Sequence, residues 1–184
     1  MTFPRFVGLG VGLGANILLR HSLLYPDAVD SLLLINVSSD CAGWSEWAWQ
    51  KRNVNQLKTQ GITKGVVDYF LWYHFGHDCH LKLLSEHHCF TSYVNQWETR
   101  MLGGNVAMLV EQYINRSDIP IKRYGGCPHV PVLCLVGSSS PHVNDLLSTI
   151  SKLDPSKTSW IKFNNSGNVL EEEPQKVKNK GLTT

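Results

Sequence analysis

The sequence lacks any unbroken apolar stretch of the roughly 20 residues that a membrane-crossing helix needs. Its nearest candidate, Phe6 to Leu19, is interrupted by Gly8, Gly10, Gly12 and Gly14. The same run follows Arg5 in the charge order of a secretory signal. The glycines weaken a signal helix, Arg20 and His21 come next, and no small-x-small cleavage site stands there, so secretion is not expected. The Asn-x-Ser sequons at Asn36, Asn115 and Asn164 then carry no weight. Charge of one sign is equally scarce. Seventeen Lys and Arg against 15 Asp and Glu leave a formal charge of +2, too weak a field to select nucleic acid or an anionic membrane. Paired cysteines are missing too. Cys41, Cys79, Cys89, Cys127 and Cys134 are odd in number and form no CxxC, which fits reduced thiols in the cytosol rather than a disulfide framework. Internal repeats and low-complexity tracts are absent.

What is present suffices for one core: 184 residues with 42% apolar content lie in the range of a single domain. Phe6 to Gly8 is short and apolar, glycines alternate through Gly14, and Ala15 to Leu24 has helical spacing up to Pro26, which reads as strand, tight turn, helix. Ser31 to Val37 is a continuous apolar run of the kind a parallel sheet buries on both faces. From Cys41 to about Gln112 the pattern is helical. Val132 to Val136 is a second buried run, Pro141 opens a helix through Leu153 with Val143, Leu146, Leu147 and Ile150 on one face, and Ser159 to Phe163 reads as a last strand. This alternation predicts an α/β fold with a doubly wound parallel sheet. Residues 1–40 and 124–170 supply the α/β core, residues 41–123 form a helical lid over the carboxyl edge with its connection, and the charged tail, 171–184, frays.

Gly10, Gly12 and Ala15 satisfy the GxGxxG/A dinucleotide fingerprint. The acidic residue expected at the end of the next strand is missing near Asn36 and Val37, with Asp40 several residues late, so no cofactor is expected. The same glycines fit a nucleophile elbow, G-x-S-x-G, on a sharp strand-to-helix turn. Two registers are open, one placing Gly12 and the other Gly10 at the nucleophile, and both lack a hydroxyl. Hydrolases of this class carry the triad in the order Ser, acid, His. Gly137 to Pro141 occupies the acid segment with Ser140 at the acid's place, and Gly167-Asn168 occupies the histidine segment with Asn168 at the base's place. Gly12, Ser140 and Asn168 supply no nucleophile with a base and an orienting acid, so no catalytic residue is assigned.

His74, His77 and His80 share an i, i+3 spacing near Cys79, His87, His88 and Cys89, and imidazole and thiolate suit zinc. The irregular spacing favours solvated or partly packed histidines over a metal site. Trp44, Trp47 and Trp49, with Trp72 and Tyr73, are expected in the lid core, a reading that surface exposure reverses.

The segments GLGVGLGANIL (Gly8 to Leu18), INVSSDCAGWSEWA (Ile35 to Ala48) and VPVLCLVGSSSPHVNDLLSTISKLDPSKTS (Val130 to Ser159) resemble the NDRG (N-myc downstream-regulated) family, over about Val7 to Gly167. The resemblance implies an α/β-hydrolase-like fold with a helical lid and no triad. It also implies a cytoplasmic protein that acts through protein partners in differentiation, stress response, signalling or vesicle traffic. Ser138 stands where the family usually has Asp. The resemblance begins at the elbow, which implies a chain truncated relative to the family. The first strand is then expected to expose unpaired backbone and to leave the isolated chain unstable, aggregation-prone or partner-dependent. The alternatives are a hydrolase with a relocated nucleophile, at Cys41 or in Ser138 to Ser140 with a lid histidine as base, or a metal-binding lid. Neither a partner's identity nor an oligomeric state is legible.

Overall fold

The computed structural model describes residues 4–77, 88–123 and 125–181. They fall into two compact units, one of residues 1–40 and 118–184, the other of residues 41–117.

The first unit is built on a four-stranded parallel sheet in the order β1 (Phe6–Val11), β2 (Val29–Ile35), β3 (Val132–Gly137), β4 (Thr158–Phe163). β3 is buried at all six positions, as its uninterrupted apolar run requires. Between β1 and β2 run α1 (Leu13–Leu24) and a short helical turn at Pro26–Ala28. One sheet face packs Leu32, Leu34, Val132 and Cys134 against Ala15 and Leu19 of α1 and, through the helix between β3 and β4, Leu146. The opposite face gathers Ile35, Leu133, Leu135 and Phe163 with Val169 and Val177. Helices therefore lie on both faces, which is the doubly wound arrangement expected.

The tail departs from expectation. Instead of fraying after Glu171, the chain continues as a helix, Pro174–Gly181, whose Val177 is 6% exposed within the second sheet-face cluster. One apolar side chain at the right phase anchors an otherwise charged segment, a signal that composition alone dilutes.

The second unit is helical among its described residues: α2 (Trp44–Gln60), α3 (Lys64–Phe75), α4 (His88–Arg100) and α5 (Gly103–Ile114). Its core joins Val54, Leu57, Val66, Phe70, Phe75 and Trp97. It ends at Ser117, earlier than the expected 123, because Ile119 is buried in the core of the sheet unit. Where the chain leaves the sheet unit and returns to it, Ile119 N–H donates to Ser39 O at 2.7 Å. Ser39 N–H donates to Thr149 Oγ1, and Asp40 pairs with Lys152. The helix between β3 and β4, α6 (Val143–Lys152), supplies both partners.

The aromatic expectation is reversed in part. Phe70 and Trp97 stack at 4.7 Å in the core, with Trp72 and Tyr73 half-buried at its margin. Trp44, Trp47 and Trp49 are exposed, Trp44 by 86%. α2 turns Val54 and Leu57 inward and these three rings outward, so the apolar face does not run the length of the helix.

Candidate functional site

All four strands are parallel, so the segments following their carboxyl ends meet at one edge of the sheet, where ligands of open α/β folds bind. The residues singled out as triad positions follow β1, β3 and β4 there.

Gly12 links β1 directly to α1 with φ 53° and ψ −111°, a backbone conformation that L side chains rarely adopt. Its N–H donates to Ile35 O at 2.9 Å and its carbonyl accepts from Asn16 N–H at 3.0 Å, so the turn is held from both sides. This selects the register Gly10-Val11-Gly12-Leu13-Gly14. Gly10 is not at the turn. A Cβ there would lie 2.6 Å from Ala15 N, so glycine at 10 permits the helix to start against the strand, whereas a Cβ at Gly12 would meet no atom within 4 Å.

Ser140 lies in the turn after β3, 6% exposed. Its Oγ lies 3.4 Å from Asn36 Oδ1, to which it donates, and accepts from the His142 backbone N–H at 3.2 Å. Asn36 itself follows β2 in the left-handed region, φ 51°, and donates its N–H to Leu135 O. The serine is thereby bonded to a neutral amide and a peptide group. Neither accepts a proton from a hydroxyl at neutral pH. Sequence reasoning met Asn36 as a sequon and as the place for a missing acid, not as a partner of Ser140; a polar residue ending a buried apolar run was the available signal. His142 Nδ1 approaches Asp145 Oδ2 at 3.4 Å, a further pair it passed over.

Asn168 caps the short helix after β4, α7 (Val169–Glu172), its side chain accepting from Glu171 N–H at 3.4 Å. The Glu172 carboxylate returns the favour, taking Gly167 N–H and Asn168 N–H at 2.8 Å each. The loops after β3 and β4 are also stitched to each other: Ser138 N–H donates to Phe163 O, Ser139 N–H to Ser166 O, and Asn165 N–H to Ser138 Oγ. Gly137 sits under this seam, since a Cβ there would stand 2.1 Å from Ser166 O.

The histidines resolve differently. His74 is half-buried between the rings of Phe70, Tyr73 and Tyr93, at 5.5 to 6.3 Å, while His77 is exposed with its ring against Trp72. His80 lies outside the described residues. Among the described residues no group of three or more His, Cys, Asp or Glu is placed to hold a metal ion. No helix of the described residues is long and apolar enough to cross a membrane. Cys41 is exposed, whereas burial pushes the Cys134 thiol up to about 12.

The described geometry has counterparts. A model of the Ndr family matches residues 1–181. Protein NDRG2 of Xenopus tropicalis is 32% identical over 172 residues, covering 91% of this chain and 44% of the relative. Protein NDRG2 of Homo sapiens is 32% identical over 168 residues, covering 91% and 43%. The chain thus spans less than half the length of these relatives. Among solved structures, a thermophilic esterase from Thermogutta terrifontis superposes with a TM-score of 0.78 at 14% identity, covering 98% of this chain and 64% of that one. MGS-M2, an alpha/beta hydrolase enzyme from a Medee basin deep-sea metagenome library, superposes with a TM-score of 0.80 at 15% identity, covering 97% and 64%. At such identity the likeness establishes the α/β-hydrolase fold and not the activity.

Proposed function

The chain belongs to the Ndr family, and we propose that within it this protein is a non-catalytic α/β-hydrolase-like protein that acts by binding other proteins. The observation that carries this reading is Gly12. The strained turn that presents a nucleophile in a hydrolase is formed here around a residue with no side chain, so no acyl-enzyme has an atom on which to form. The other two positions support it: Ser140 is bonded to Asn36, and Asn168 caps a helix. A nucleophile without a placed base and oxyanion hole accelerates little.

The setting follows from the family resemblance and the thiol chemistry: a cytoplasmic protein serving signalling, differentiation or stress response, with protein partners and no nucleic acid. The exposed tryptophans suit contact with a protein, since exposed aromatics dominate interface energetics.

The test is hydrolysis of p-nitrophenyl acetate and labelling by a fluorophosphonate probe. The expected result is turnover at the buffer rate and no stoichiometric adduct. Turnover lost in any one of Cys41→Ala, Ser138→Ala, Ser139→Ala or Ser140→Ala would instead establish a relocated nucleophile and overturn the proposal.

A further inference from the structure

α2 turns polar groups inward. Gln50 is 1% and Asn53 5% exposed, and Val54 and Leu57 continue the buried face toward the carboxyl end of the helix. One turn before Gln50, the carboxylate of Glu46 is satisfied by Arg116, whose Nη1 and Nη2 donate to it at 3.1 and 2.9 Å. The two amides lack such a match. Gln50 Oε1 and Asn53 Nδ2 are both fully enclosed, and neither takes part in a hydrogen bond.

Tyr93 Oη and Ser166 Oγ share that condition, but they lie elsewhere, on α4 and in the loop after β4. Gln50 and Asn53 form a pair. They are spaced i, i+3, so their side chains are neighbours on one helix face. They are also complementary, since Oε1 only accepts and Nδ2 only donates. A buried donor or acceptor left unmatched costs more than an ordinary hydrogen bond returns, and Val54 and Leu57 beyond them offer nothing polar. The chemistry of the pair restricts what can sit there. An anion is repelled by Oε1 and a cation by Nδ2, so the ligand must be neutral and must both donate and accept. Water is the smallest such molecule, and enclosure favours the smallest.

We infer that Gln50 and Asn53 form a binding site for one buried water molecule, which donates to Oε1 and accepts from Nδ2. The inward face of α2 then runs from an ion pair through a bound water to apolar side chains. The enclosure is supplied by this chain itself, so the site depends neither on what else the longer relatives carry nor on the question of catalysis.

Magnetic relaxation dispersion of the water oxygen, recorded on the full chain, counts waters that stay longer than the protein takes to tumble. Gln50→Met and Asn53→Leu keep the side-chain shape while removing the acceptor or the donor. Each is expected to lose one long-lived water, and the double variant to lose that same one and no more. Asn55→Leu, at an exposed position of the same helix, leaves the count unchanged. A crystal structure of the unsubstituted chain gives a check that needs no variant to fold: a water within about 3.2 Å of both atoms is expected. A count that survives both single substitutions, two waters lost in the double variant, or a direct hydrogen bond from Asn53 Nδ2 to Gln50 Oε1 in the crystal would each overturn the proposal.

Discussion

Glycine is the residue through which most of the carboxyl edge is decided, and its positions are not equivalent. Gly137→Ala forces a methyl into Ser166 O at 2.1 Å and is expected to cost about 3 kcal/mol or more. Gly14→Ala meets nothing within 4 Å inside α1 and is expected to add about 0.5 to 1 kcal/mol. Urea unfolding of the two variants separates these outcomes. Gly12→Ser restores a hydroxyl where there is room for it, at a backbone cost of about 1 to 3 kcal/mol. It is expected to leave ester turnover at the buffer rate, because Asn168 is still a helix cap; measurable acyl-enzyme in that variant would mean that a base had been missed. Thiol labelling gives a third check. Cys41 is expected to react with a thiol reagent in the native protein, and Cys134, with its pKa raised to about 12 by burial, only after unfolding. At this scale the sequence was legible where a residue type is diagnostic, as in the glycine run. It was silent where two positions meet only in space. Ser140 with Asn36 and Gly137 with Ser166 are of the second kind.

Among the elements, the helical unit offers a pH handle. Glu111 on α5 accepts from Lys58 at 2.5 Å and Lys51 at 3.1 Å on α2, and these hydrogen bonds hold its carboxyl below the usual glutamate range. A depressed folded pKa means stabilisation that is complete above the ordinary glutamate value and lost as pH falls through the folded one. Urea midpoints measured from pH 7 downward are therefore expected to fall less steeply in Glu111→Gln than in the parent. The strands and long helices could be read from the sequence because burial on both faces leaves an unbroken apolar run, as in β2 and β3, while a helix packed on one side leaves a period, as in α6. Helix starts were less legible. Pro141 suggested an opening that the structure sets at Val143, since the Ser140 hydroxyl takes up the His142 N–H just before it. α2 misled for a physical reason. Tryptophan is apolar enough to be counted with the core, yet nothing in its spacing reveals that the helix buries Gln50, Asn53, Val54 and Leu57 instead.

The buried side chains described form three clusters, two on the faces of the sheet unit and one in the helical unit, and stability is expected to be divided between the two units. Phe70→Ala removes a ring stacked on Trp97 and is expected to cost about 3 to 5 kcal/mol. Hydrogen exchange should then accelerate in residues 41–117 and leave β3 protected; uniform acceleration would show that the two units unfold as one. The hydrogen bond between Ile119 and Ser39 has a further consequence. Seventy-odd residues depart and return through a single gap closed by that bond and braced by Thr149 and Lys152, so the sheet registers the positions of the two ends and not the length between them. The helical insert is in effect an exchangeable cassette, whose length is expected to be open to change without altering the strand register of the sheet unit.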